Sequence, residues 1–152
     1  MRRGLVVRGP TSDKVHTCSI RVRSYECDAY GHVNNATYLH YLELARHEYL
    51  RDNGVLLTDL RQAGYGLVVA KISIEYRRPA VPDDVVIVET VALRRTRVGG
   101  VLRQVVTKTL PGREDGDGPA TVAEAEVTWV CVDSRGRPAR LPEVFDREGL
   151  QP

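Results

Sequence analysis

The stretch "ECDAYGHVNNATYLHYLELARHEYL", residues 26–50, decides the fold. Its second half places Tyr38, Tyr41, Leu42, Ala45 and Tyr49 at helical spacing, with Leu39 and Leu50 widening the apolar stripe. That periodicity predicts one long helix over 36–52. Asn34 or Asn35 can cap its start, because a short amide side chain accepts from the orphan amides of a first turn. Asn53 and Gly54 stop it, since both tolerate the left-handed backbone of a helix end. The first half is polar: Asp28 is followed within seven residues by Gly31, His32, Asn34 and Asn35. An acid and two amides crowded at a helix start are either a loop with a cap or a site that uses the helix end as an electrophile.

Outward from the helix the pattern is β. Upstream, "HTCSIRVR" (16–23) alternates and is rich in strand formers, and residues 1–14 read as a loose arm. Downstream, 55–65 is a connector with a short helical turn. "GLVVAKISIEYRR" then alternates, with Val68, Ala70, Ile72, Ile74 and Tyr76 on one face. A Pro/Asp turn at 79–84 leads to a strand over 85–98, and Gly99-Gly100 supplies a tight hairpin turn. Strands over 101–110 and 121–133 follow, separated by a solvated loop at 111–120. A strand, a long helix and four antiparallel strands make an α+β fold of one domain over 1–152, with the sheet wrapped around the helix. Its uncovered face and sheet edges predict a homodimer or homotetramer.

The chain has 152 residues, 42% of them apolar, enough for a real core. Its 22 basic and 20 acidic residues leave a net charge of +2, which argues against a general nucleic-acid binder. Three scattered cysteines (Cys18, Cys27, Cys131) read as reduced thiols, neither a disulfide framework nor a zinc site. No segment approaches the ~20 apolar residues of a membrane span, and the N-terminal residues lack a secretory apolar run. The expectation is a cytoplasmic protein that needs no metal or bound redox cofactor.

The order of elements, together with "CDAYGHVNNATYLHYLELAR", resembles the hotdog-fold acyl thioesterases of the 4-hydroxybenzoyl-CoA thioesterase type. "HVNNATY" is also similar to acyl-carrier-protein thioesterases. "ISIEYRRPAVPDD" and "AEAEVTWVCVDSRGRPARLP" resemble the strand after the helix and the last strand with its exit, so the likeness covers roughly 16–143. It implies hydrolysis of acyl-CoA or of an acyl carrier protein. It also implies that the acid of the loop before the helix, here Asp28, serves as nucleophile or general base. Several bacterial relatives carry His at the position of Asn35, and this chain departs from them there. A helix carboxylate, here Glu43, does the catalysis in a second subtype, so the two acids are rivals.

The chemistry is coherent without the resemblance. First-turn amides carry the positive end of the helix dipole, so a carbonyl oxygen lodged there is polarised and its oxyanion stabilised. Asp28 would attack or deprotonate water, Asn35 would position water or carbonyl, and substrate would lie against Gly31, His32, Val33, Asn34, Ala36 and Tyr38. Each residue has a plainer role too: Asp28 satisfying loop amides, Asn34 or Asn35 capping, Glu43 pairing with Arg46 or His47, the tyrosines filling core or interface. A Cys27–His32 nucleophile and a His40–Glu43–His47 metal stripe are weaker alternatives. Arg77, Arg78, Arg94, Arg95, Arg97 and Arg103 either guard strand edges or hold coenzyme A phosphates. A hotdog dehydratase or hydratase, or a non-catalytic acyl-thioester binder, are the rival functions.

Overall fold

The structure, a computed structural model, describes residues 15–112 and 118–152; the arm expected at 1–14 and the middle of the 111–120 loop lie outside the described residues. Five strands, β1 (His16–Arg21), β2 (Gly66–Tyr76), β3 (Val85–Arg95), β4 (Gly99–Lys108) and β5 (Ala120–Val132), form one antiparallel sheet in the order β1-β3-β4-β5-β2. Helix α1 (Thr37–Asp52) lies along the concave face, and the short α2 (Leu57–Gln62) leads from it into β2. This is the α+β hotdog arrangement. No helix of the described residues is long and apolar enough to cross a membrane.

The helix is positioned by its stripe. Tyr38, Tyr41, Leu42, Ala45 and Tyr49 are all buried. The first four pack with Val86, Val88, Val106 and Val122 of the sheet, whereas Tyr49 belongs to a second cluster with Leu102, Val127, Phe145 and Leu150. Leu39 is 40% exposed and does not widen the core stripe. Across the core, the buried Gln104 of β4 donates Nε2–H to the Leu42 carbonyl and to Thr90 Oγ1, both at 3.0 Å, and accepts from Arg46 Nη1 at 2.9 Å. One amide thus ties helix to sheet.

Two expectations for the strands are corrected. Gly99 and Gly100 do not make the hairpin turn; they open β4, and the turn is at 96–98, closed by Thr96 N–H donating to the Gly99 carbonyl at 2.8 Å. Glycine is needed because a Cβ on Gly100 would stand 2.5 Å from the Arg94 carbonyl oxygen and 3.3 Å from the Trp129 ring, while one on Gly99 would meet the Trp129 carbonyl. In β2 the register slips between Val69 and Lys71. A bulge at Ala70 therefore puts Leu67 and Val69, opposite Cys131 and Trp129, on the face of Ile72 and Ile74, and turns Val68 the other way.

Candidate active site

Residues 27–33 form a tight excursion closed by an antiparallel bridge between Cys27 and Val33. Asp28 directs it. Its N–H donates to the His32 carbonyl at 2.8 Å, its carbonyl accepts from Gly31 N–H at 3.0 Å, and its Oδ1 accepts from the amides of Tyr30 (2.9 Å) and His32 (3.4 Å). Gly31 sits at φ +77°, where a Cβ would be strained. The other oxygen, Oδ2, has no partner among the described residues, and the side chain faces solvent. The loop is anchored from outside by Val33 N–H donating to Ala80 and Asn34 N–H donating to Glu26, each at 2.9 Å. Glu26 Oε2 in turn accepts from the Tyr41 hydroxyl at 2.7 Å, which fastens the loop to the helix below it. Burial, followed by that carboxylate, pushes the Tyr41 hydroxyl far above its ordinary value.

Asn34 is the cap. Its Oδ1 accepts from Ala36 N–H and its carbonyl from Thr37 N–H, both at 2.9 Å. The amides of Asn34 and Ala36 are therefore already engaged. The Asn35 amide has no acceptor among the described residues, and the Asn35 carbonyl is held by the Tyr76 hydroxyl at 2.9 Å. Tyr76 also packs edge-on against Tyr38, ring centroids 5.4 Å apart. Asn35, Ala36 and His32 are exposed, whereas Val33 and Tyr38 are buried as core. Asp28, the Asn35 amide and the helix start thus belong to one stretch, 28–38, hydrogen-bonded to Glu26, Ala80 and Tyr76.

The structure does not bring Glu43 there. Glu43 lies a turn and a half along α1, where with Arg46 and His47 it borders a cavity of about 100 Å³. Arg94 and Arg95 line it too, among apolar residues that include Leu67, Trp129, Phe145 and Leu150. Glu43 makes no ion pair with Arg46 or His47 within 4.0 Å, although its charge acts on the Arg46 guanidinium, whose proton affinity burial lowers. Asp28 does not line this cavity.

The remaining candidates sort by contact. Cys27 directs its thiol to the Arg23 carbonyl, and desolvation with the Glu26 and Asp28 charges raises its pKa, the opposite of what a thiolate nucleophile needs. Among the described residues no three ligand-type side chains converge, and His40 is exposed and does not line the cavity that Glu43 and His47 border. Arg77 and Arg103 pair with Glu124, and Arg78 donates to the Thr121 carbonyl. Arg95 donates to the carbonyls of Phe145 and Leu150. Arg94 borders the cavity and has no acceptor among the described residues. Sequence reasoning missed the C-terminal wall, Gln104 and the Tyr76 tether. The one available signal was the chain's only Phe, set in the charged tail "PEVFDREGL".

The Thioesterase-like superfamily profile matches residues 22–148. The long-chain acyl-CoA thioesterase FadM of Escherichia coli is 36% identical over 132 residues, covering 87% of this chain and 94% of FadM. A chloroplastic acyl-acyl carrier protein thioesterase of Arabidopsis thaliana is 30% identical over 145 residues, covering 91% and 70%. Among solved structures, the 1,4-dihydroxy-2-naphthoyl-CoA thioesterase of Synechocystis superposes with a TM-score of 0.76 over 87% of this chain and 93% of its own; at 18% identity it speaks for the fold alone. Matched along most of both chains, this protein belongs to the thioesterase-like superfamily and is an acyl thioesterase of hotdog fold.

Proposed function

We propose that the chain hydrolyses an acyl thioester of coenzyme A or of an acyl carrier protein in the cytoplasm, with Asp28 activating the attack and the Asn35 amide receiving the oxyanion. One observation carries this reading. Asp28 has one oxygen fixed by two loop amides and the other without a partner among the described residues, on a loop bonded to the start of α1, where the Asn35 amide has no acceptor among the described residues. Free Oδ2 either attacks the thioester carbon, expelling thiolate to leave an anhydride that water splits, or takes a proton from the attacking water. Neither route asks for a metal.

A homodimer reconciles the Asp28 loop with the cavity. β2 is a long edge strand whose outer side is unpaired, and Val68, Val69 and Tyr76 along it are 45%, 45% and 47% exposed. Its Val68–Val69 end borders the cavity, and its Tyr76 end holds Asn35. Antiparallel pairing of two β2 edges about a two-fold axis exchanges these ends. The helix start of one protomer then stands beside the cavity of its partner, where Arg94 of the cavity lining would meet a phosphate of coenzyme A or phosphopantetheine.

The test is Asp28→Asn. Asparagine keeps an Oδ1 that can accept from Tyr30 and His32, so the loop persists while the charge goes. Thiol release from a panel of acyl-CoA and acyl-carrier-protein thioesters should fall by ~10²-fold or more. Undiminished release by folded Asp28→Asn, together with loss in Glu43→Gln, would transfer the role to the carboxylate at the cavity. Label from water found in Asp28 after a single turnover would establish direct attack, since the general-base route puts it in the product alone.

A further inference from the structure

Beyond β5 the chain turns back under the C-terminal half of α1 and inserts Phe145 and Leu150, 1% and 2% exposed, into the cavity wall. Phe145 stacks on Trp129 of β5, centroids 5.7 Å apart at 29°. These residues ride on two single 3-10 turns, Glu143–Asp146 and Glu148–Leu150, which have few main-chain bonds of their own. Arg95 of β3 does the holding. Its Nη1 donates to the Phe145 carbonyl at 2.8 Å, its Nη2 to the Leu150 carbonyl at 2.5 Å, and its guanidinium lies 5.6 Å from the centre of the Phe145 ring. Gln151 Nε2 adds a bond to the Phe145 carbonyl at 2.9 Å, and Arg147 Nη1 donates to the Asn53 carbonyl at the end of α1 at 2.7 Å.

The cavity is lined by charged groups of α1 and β3 (Glu43, Arg46, His47, Arg94, Arg95) mixed with apolar ones, among them Leu102, Trp129, Phe145 and Leu150. Its volume of about 100 Å³ accommodates several groups the size of a water molecule, each needing about 10–15 Å³, and so only a limited run of chain carbons. We propose that the segment 143–150, pinned by Arg95, is the end wall of the acyl pocket and sets the longest acyl chain accepted, favouring short to medium straight chains. This rests on the cavity being the acyl-binding part of the site described above. With the thioester at the proposed Asp28 site, the chain tail enters the cavity and runs towards Phe145. A chain that outgrows the space must displace a wall held by main-chain carbonyls, which no side-chain rotation can relieve.

The experiment compares wild type, Phe145→Leu and Phe145→Ala on straight-chain acyl-CoAs from butyryl to palmitoyl, with thiol detection. The same proteins are titrated calorimetrically with the matching S-alkyl-CoA thioethers, which bind without turning over. Shortening the wall should move the chain-length optimum upward and raise kcat/KM for palmitoyl relative to butyryl by about tenfold or more. Thioether affinities should move in step. If Phe145→Ala does not fold, the milder Phe145→Leu decides. An unchanged profile in a folded variant overturns the proposal. Absence of thiol release by wild type, with length-dependent thioether binding that shifts in the variants, would sink the hydrolytic reading and leave the wall standing.

Discussion

The Tyr76 hydroxyl donates to the main-chain carbonyl of Asn35 at 2.9 Å, so the last residue of β2 fixes the peptide that precedes helix α1. The proposed oxyanion donor, the Asn35 amide, lies one peptide unit before it, so the tether acts on that amide through the Asn35 Cα. Tyr76→Phe keeps the edge-on contact with Tyr38 and removes only the bond. A neutral hydrogen bond on a half-exposed group contributes about 1 kcal/mol, so Tm should fall by no more than about 2–4 °C. A positioning role predicts more: kcat lower by about fivefold with KM nearly unchanged, because the amide is then misplaced for the transition state rather than for substrate. Steady-state kinetics beside a melting curve checks this. Equal small losses in kcat and stability, with KM raised, would make Tyr76 a structural tether alone.

Gln104 offers a sharper stability test. Its side chain is fully buried and satisfies Leu42, Thr90 and Arg46 together. Gln104→Leu leaves the half-buried Arg46 guanidinium without its amide acceptor and the Thr90 hydroxyl without its donor. The cost should be about 2–4 kcal/mol, since hydrogen bonds to charged groups exceed neutral ones. Arg46→Met in the same background should recover part of that loss, because the orphaned charge goes with it. Urea denaturation of the two single variants and the double variant reads the coupling directly.

The long helix and its stripe were legible because burial and periodicity agree: every one of Tyr38, Tyr41, Leu42, Ala45 and Tyr49 is buried. The α+β order followed from the same reasoning. What escaped depends on contacts distant in sequence. Gly99-Gly100 carries a turn signal, yet its glycines answer to Trp129, about thirty residues on. Alternation in β2 looked unbroken because a bulge at Ala70, the last residue of the apolar run 67–70, leaves no mark in the sequence. At the site, Asp28, Asn34 and Asn35 were visible as a polar knot. Which amides remained unengaged was not, since Asn34 donates to Glu26 and Ala36 to Asn34, and hydrogen-bond pairing has no sequence period.

The ion pair beneath the site should respond to acid. Lys108 Nζ lies 2.7 Å from Asp84 Oδ2, which also accepts from Val81 N–H at 3.0 Å. Burial alone would raise the Asp84 carboxyl, but the bonds from Lys108 and Val81 and the lysine charge hold it below its ordinary value. A depressed folded pKa stabilises the native state above the unfolded value of about 3.9, and that contribution is lost as pH falls through the lower folded value. Asp84→Asn should therefore lower Tm at neutral pH, with the gap to wild type closing below about pH 4. The same turn supplies the Ala80 carbonyl that anchors Val33, so the variant should also slow turnover at neutral pH. Melting curves across acid pH, beside thiol release at pH 7, test both.

In the proposed homodimer, exchange of ends between two β2 edges makes the site a shared one, which can be tested by complementation. A protomer with Asp28→Asn keeps its cavity, and a protomer with Leu50→Trp loses cavity space but keeps Asp28. Each homodimer is then inactive for its own reason. Co-expressed at equal amounts, half of the dimers are mixed, and each mixed dimer holds one intact combination of wild-type cavity and wild-type Asp28. Activity should return to about a quarter of the wild-type value. Sites built within one protomer give no such return, because every chain in the mixture carries a defect. Light scattering of the wild type, expected to show twice the mass of the 17.0 kDa chain, establishes that the partner is there to contribute. A monomer with full thioesterase activity would leave Asp28 and the cavity on separate errands, and Glu43 as the acid beside the acyl chain.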